Sequence, residues 1–558
     1  MESDRSRLNG LYSSLDLERG TFTSHWRDLA EHVLPRRIRL SYTDTNRGDK
    51  RNQKIIDSTA TLAARTLKSG MMAGITSPAR PWMRLITPDQ DLNERDDVRS
   101  WLHTVTQRMH TVFLRSNLYN ALPTLYGDQG NFGTAAMAAL DDLNDVARFQ
   151  VMPIGSYMIA TNDRGIVDTF VRDIPMTVRQ VVRMFVNMNS PESKRWDNIS
   201  TTVRNLWDSG MLEANVHIVH SVYFNNDYDD SISTSSNKKY TSVYYEMGNN
   251  DDKILKRSGF DDFPILCPRW DVSGNDVYGT SCPGMEALGD VKALQLMQRR
   301  KAEAIEKMVR PPMVGPSSLR TAKASILPGD ITFLDIREGQ QKFQPIYEVQ
   351  PRIQEMVIDI KEHQQRISRA YYEDLFLMLS QSDRREITAR EIDEKHEEKL
   401  LMLGPTLERE NDELLDPLVT RVFNIMERRG MIPDAPDILQ DQPIKVEYIS
   451  IMAQAQKMVA MSGLERFSGF IGNMSKAFPE TLDKINSDNL VDEYADMTGV
   501  SPRILLTDDQ ANEKRKKRAD QQQAAMDAEN QMKNAQAQQA MAQVSGGTNN
   551  YQQQLVGR

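Results

Sequence analysis

Two stretches decide the fold: residues 284–312, GMEALGDVKALQLMQRRKAEAIEKMVRPP, and residues 353–371, IQEMVIDIKEHQQRISRAY. In the first, Ala287, Leu288, Val291, Leu294, Met297, Ala302, Ile305 and Met308 recur at helical spacing until Pro311-Pro312 stops the pattern. In the second, Ile353, Met356, Val357, Ile360, Ile367 and Tyr371 follow the same period. The intervening segment is dense in Pro and Gly and holds one strand-like run. Two long helices joined by a small module make a hairpin-like unit, and periodicity alone is equally satisfied by an ordinary hairpin within a core.

Downstream, residues 388–429 form a third long helical pattern interrupted by Gly404-Pro405 and Asp416-Pro417. A proline inside a helix removes a backbone donor, so a kinked helix or broken pair is expected. IKVEYIS reads as a strand, and helices follow to about 495. Lys514, Arg515, Lys516, Lys517 and Arg518 form a basic run. Residues 519–543 then hold eight Gln and eight Ala, too little apolar surface for a core, so this tail is expected to be disordered or helical only against partners.

Upstream the periods mix. Leu8, Leu11, Leu15, Phe22, Trp26, Leu29 and Val33 mark a helix over roughly 5–35, and further helices are expected at Ser58–Met72 and Asp96–Phe113. RFQVM, SYMIA, GIVDTFVR, NVHIVHSVYF and TSVYYEM are β-branched and aromatic runs that read as strands. Thr177 is placed to cap a helix over TVRQVVRMFV. Residues 1 to about 280 are therefore a mixed α+β region.

Composition narrows the function. The 558-residue chain carries 69 basic and 78 acidic residues, a net charge of −9, which argues against a surface that grips nucleic acid throughout. It leaves room for local contact, or for passage. No apolar run approaches a membrane span, the start MESDRSRLNG has no apolar signal segment, and two cysteines cannot build a disulfide framework.

Enzyme signatures fail in turn. There is no Gly-Lys dipeptide and hence no phosphate loop. His396-Glu397 opens like a zinc helix, but Leu400 replaces the second imidazole. In GTSCPG, Pro283 takes the second glycine position of a nucleophile elbow. His217 and His220 sit in one strand on opposite faces, unfit to share a metal. No catalytic residue, metal or cofactor is expected.

Six runs nonetheless stand in a recognisable order: RTLKSGMMAGITSPARPWMRL, PIGSYMIATNDRGIVDTFVRDIPMT, PILCPRWDVSGNDVYGTSCPGMEALGDVKALQ, VRPPMVGP, ILPGD, and ITAREIDEKHEEKLLMLGPTLERENDELLDPLVTRVFNIMERRGMIP. Together they resemble the portal, or head-to-tail connector, proteins of short-tailed tailed phages, over most of residues 58–433. Ser281-Cys282 departs from the basic or small residues that other members often carry there. After about 450 the resemblance is expected to fade.

The resemblance implies a non-enzymatic ring, usually of about twelve copies, at one capsid vertex of a virion assembled in the host cytoplasm. Its fold would be α+β: a wing (1–283), stem helices (284–310 and 349–374), a clip (311–348), a tunnel loop (375–387), a kinked helix (388–433), strand plus crown helices (434–518), and the tail (519–558). It implies as partners a second copy of the chain, the terminase large subunit, tail adaptor or nozzle proteins, major capsid and scaffold proteins, and double-stranded DNA passing through, with no membrane. On this frame Arg320 and Lys323 are candidate clip contacts. Ser382, Asp383, Arg384 and Arg385 are candidates for the tunnel loop, because the apolar run Leu375–Leu379 stops at loop-favouring Ser380-Gln381-Ser382-Asp383. Lys514 to Arg518 are candidates for approaching DNA. Each set also reads as ordinary solvated charge. Two alternatives stand beside this reading: another virion structural protein, of the internal core or tail, and, less favoured, a DNA-processing enzyme.

Overall fold

The computed structural model describes residues 4–44, 48–89, 92–93, 95–187, 196–232, 234–248, 252–314, 344–345, 353–381, 403–439, 442–449, 467–475, 508–553 and a few positions between 478 and 506. The chain divides into two compact units, one of residues 1–84, 105–433 and 448–456, the other of 85–104, 434–447 and 457–558.

From the N-terminus come α1 (Asp4–His32), α2 (Thr59–Ile75), β1 (Met83–Ile86), α3 (Asp96–Arg115) and α4 (Leu118–Phe132). Next are β2 (Ala136–Asp142), β3 (Val146–Met152), β4 (Tyr157–Thr161), β5 (Val167–Thr177), α5 (Val178–Phe185), α6 (Thr201–Asp208), β6 (Asn215–Phe224), β7 (Tyr240–Glu246), β8 (Lys256–Phe260) and β9 (Ile265–Leu266). After these run α7 (Pro283–Val309), β10 (Met313–Val314), β11 (Gln344–Pro345), α8 (Ile353–Ala370) and α9 (Glu373–Gln381). A helical segment 403–410 leads through a π turn, Asn411–Leu415, into α10 (Asp416–Arg428), followed by β12 (Lys445–Tyr448) and α11 (Asp508–Gln553). The chain is thus mixed helix and sheet, in line with the expected α+β class.

The larger sheet is antiparallel in the order β4-β5-β6-β7-β8. Strand alternation gives it two buried faces. Val216 and Ile218 of β6 pack with Val178, Val181, Val182 and Val203 of α5 and α6. Their neighbour Val219 joins Val171, Val243 and Tyr245 beneath Leu8 and Leu15 of α1. Thr177 caps α5 as expected, in a reciprocal capping box with Gln180. His217 and His220 do take opposite faces: His217 meets Asp173 at 2.8 Å and stacks on Tyr42, while His220 is buried against Tyr244 and Ser242. A three-stranded sheet, β3-β2-β9, shares a second core with α1 and α4, where Trp26, Phe132, Tyr157, Phe170 and Tyr278 are all buried.

One local expectation needs correction, and two others take a definite form. Ser380 and Gln381 were expected in a loop and instead end α9. Glu373 and Asp374 favour the N-terminus of that helix, and burial of Leu375 and Phe376 fixes it. The break at Asp416-Pro417 takes the form of a π turn: Pro417 has no N–H to give, and the Asp416 N–H reaches back five residues to the Asn411 carbonyl. The tail, expected to be disordered or helical only against partners, is helical as far as Gln553, within α11. Its Ala, Gln, Lys, Glu and Met residues are strong helix formers, and that propensity outweighs the lack of an apolar face.

Candidate functional site: the helical hairpin and its anchor

The N-terminus of α7 is fastened by close approach. Cys282 is extended, Pro283 opens the helix, and Gly284 lies against α4, where an added Cβ would come within 2.5 Å of the Asn131 carbonyl oxygen. The Asn131 side chain also accepts a hydrogen bond from the Tyr371 hydroxyl at 2.8 Å, just past the end of α8. One residue of α4 therefore fixes the base of both hairpin helices.

A second anchor is polar. Gln295 is only 6% exposed. Its Oε1 accepts from the N–H groups of Ile56 and Asp57 at 2.6 and 2.8 Å, and its Nε2 donates to the Asp57 carbonyl at 2.9 Å. The Asp57 carboxylate accepts from Gln298 of α7 and Gln364 of α8 at 2.9 and 3.0 Å, and from Thr59. Burial opposes its charge, yet these hydrogen bonds hold the Asp57 carboxyl below its ordinary value. His363 of α8 and Asp290 of α7 meet at 2.7 Å. Buried polar groups that are fully paired fix one helix register where an apolar seam would tolerate several.

Beyond this clasp the hairpin loses its cover. The stripe that buries Ala287, Val291 and Leu294 continues at the same spacing into Ile305 and Met308, which with Val309 are 43, 50 and 71% exposed. Ile358 of α8 is 63% exposed. Around the uncovered stripe of α7 stand Arg299, Arg300, Lys301, Lys307 and Arg310 against Glu303 and Glu306. The matching part of α8 carries Glu355, Asp359 and Glu362 against Lys361. The distal hairpin thus has a basic helix beside an acidic one.

Of the residues singled out by sequence, Lys514 to Arg518 are exposed on α11. Arg320, Lys323, Ser382, Asp383, Arg384 and Arg385 lie outside the described residues, as do His396 and Leu400. Cys282, in the elbow-like run, is a buried thiol pushed up to about 12 by burial, so it supplies no thiolate. Among the described residues no group of three or more His, Cys, Asp or Glu could hold a metal. Sequence reading missed Asn131, Asp57 and Gln295. The available signal was Gln295 and Gln298 flanking the buried Leu294 on an otherwise apolar stripe.

An α+β body that fastens a projecting helical hairpin with an uncovered apolar end is the build of a structural assembly component. The chain matches the family described as bacteriophage head to tail connecting protein over residues 5–505, and it belongs to that family. It is 48% identical to the portal protein of Salmonella phage epsilon15 over 94% of this chain and 93% of that one. It is 40% identical to the probable portal protein of Bordetella phage BPP-1 with the same coverage. A chain from the virion of a native gene transfer agent particle aligns with 78% of this chain and 90% of its own at 12% identity and a TM-score of 0.31, too slight a likeness to argue from. Family membership gives the chain the portal role in a phage virion, at the capsid vertex, in a structural rather than catalytic family. The match runs well past residue 450, where the resemblance was expected to fade.

Proposed function

We propose that copies of this chain close into a ring, of about twelve, that forms the channel for DNA packaging and ejection and the platform for terminase and tail adaptors. The observation that carries this reading is the uncovered end of the hairpin. Ile305, Met308 and Val309 of α7 and Ile358 of α8 are exposed apolar side chains that a second copy would cover, and the basic flank of α7 would then face the acidic flank of a neighbouring α8. Such a contact is heterologous, and heterologous contacts close into rings when the rotation allows. A net charge of −9 suits a conduit, because a wall of Lys and Arg would hold DNA through counterion release.

In this reading residues 1–283 are the wing, α7 and α8 the stem, and 311–348 the clip, with Arg320 and Lys323 offered to terminase and then to adaptor proteins. Residues 375–387 hold the tunnel-facing segment, with Ser382, Asp383, Arg384 and Arg385 beyond the end of α9. Residues 388–433 are the kinked helix, 434–518 the strand and crown, and 519–558 the tail. Scaffold and major capsid proteins would meet the wing, and Lys514 to Arg518 would approach packaged DNA. Electron microscopy of the purified protein tests the whole. A closed ring with a central hole, with a mass of about 764 kDa for twelve chains of 63.7 kDa, is expected. Monomers and dimers alone across conditions, with scaffold protein present, would overturn it.

A further inference from the structure

The joint between α8 and α9 is strained. Tyr372 has φ +53°, in the left-handed region that a bulky aromatic residue avoids. It is held there from both sides. The Tyr372 N–H bonds to the Arg369 carbonyl at 3.0 Å, closing α8, and the Phe376 N–H bonds to the Tyr372 carbonyl at 3.2 Å, opening α9. Tyr371 is fully buried on Asn131. Phe376 is 2% exposed, and its ring lies so close to Gly70 of α2 that any Cβ at Gly70 would overlap it.

Apart from the acidic pair Glu373-Asp374, which suits a helix start, the sequence gives no local reason for a bend. SRAYYEDLF, residues 368–376, contains no Gly, Pro or Asn, the residues that normally end a helix. The apolar period also runs straight through: Ile367, Tyr371 and Leu375 are spaced by four, as in one helix. The apolar period therefore favours continuation, while the docking of Phe376 on Gly70 goes with the bend. Two opposed preferences of this kind make a two-state element.

We propose that Tyr372 is a conformational joint with two states. In one, described here, α9 turns back and Phe376 docks on Gly70. In the other, Tyr372 relaxes into the right-handed helical region and α8 and α9 fuse into a single helix. Gly70 is the receiving site that selects the bent state, and the strain at Tyr372 keeps the fused state within reach.

The test is a distance measurement on the full chain, with nitroxides on Leu62→Cys of α2 and Leu377→Cys of α9, both exposed, diluted with unlabelled protein. Cys267 and Cys282 are buried and stay unlabelled. Tyr372→Gly, which accepts positive φ without strain, should shift the ratio towards the short distance by roughly fivefold or more. Gly70→Ala, which blocks docking, should move the population to a longer distance. Phe376→Ala removes the docked ring without adding bulk and should act in the same direction, so it decides the matter if Gly70→Ala fails to fold. Distance distributions unchanged by Tyr372→Gly and by Phe376→Ala would overturn the joint and leave the positive φ as a fixed feature of the fold.

Discussion

The Gln129 side-chain amide donates to Glu410 Oε2 at 2.6 Å, joining α4 to the last residue before the π turn, and both residues are wholly buried. Among the described residues, neither Gln129 Oε1 nor Glu410 Oε1 has a hydrogen-bond partner. Burial pushes the Glu410 carboxyl up to about 8, against the pull of Gln129 and with a small addition from Glu413. The group is an acid carried neutral inside the protein.

Its linkage has a definite sign. Between the ordinary value of 4.5 and about 8, the unfolded chain loses this proton while the folded chain keeps it. Stability is therefore expected to fall as pH rises through that window, by about 1.4 kcal/mol per unit from this group, and to level off above it. Glu410→Gln should remove that slope and be the more stable form at pH 9. Denaturant titrations of both proteins at pH 6 and pH 9 decide it, and parallel losses in the two would refute the assignment.

Arg37 forks onto Asp128 through Nε and Nη2, and Asp128 is fully buried. Burial raises the Asp128 carboxyl even with the guanidinium beside it. Arg37→Met is expected to cost about 3–5 kcal/mol by stranding the carboxylate, and adding Asp128→Leu should return much of that. A double variant no more stable than the single one, measured by urea unfolding, would show that the pair does more than neutralise itself.

The uncovered stripe of α7 predicts an assembly defect without a folding defect. Ile305→Asp with Met308→Asp should lower monomer stability by only about 1 kcal/mol in total, because both sites are exposed. Ring formation, followed by light scattering, should be lost. Rings that form normally in this variant would remove the stripe from the subunit contact.

Arg384 and Arg385 stand three and four residues past the end of α9. As phosphate-facing guanidinium groups repeated around a channel, they would slow back-slippage of DNA. Changing both to Ala should leave rings intact and reduce retention of packaged DNA. Full heads that keep their DNA in the double variant would sink the valve role.

Periodicity determined much of this protein in advance. The apolar spacing in α1, α7 and α8, the alternation in β6 and the Thr177 cap are local properties, and local physics sets them wherever the chain goes. The ordered runs from residue 65 to 433 were likewise enough to indicate the family. What tertiary structure decided is what two distant residues do to each other. Phe376 of α9, the helix that Ser380 and Gln381 end, lies against Gly70 of α2 across the fold. Gln295 turned from an oddity on an apolar stripe into a clasp only when Ile56 and Asp57 came within hydrogen-bond reach. Neither spacing nor composition encodes such pairings, because they depend on contacts between segments hundreds of residues apart, and those contacts exist only once the chain has closed.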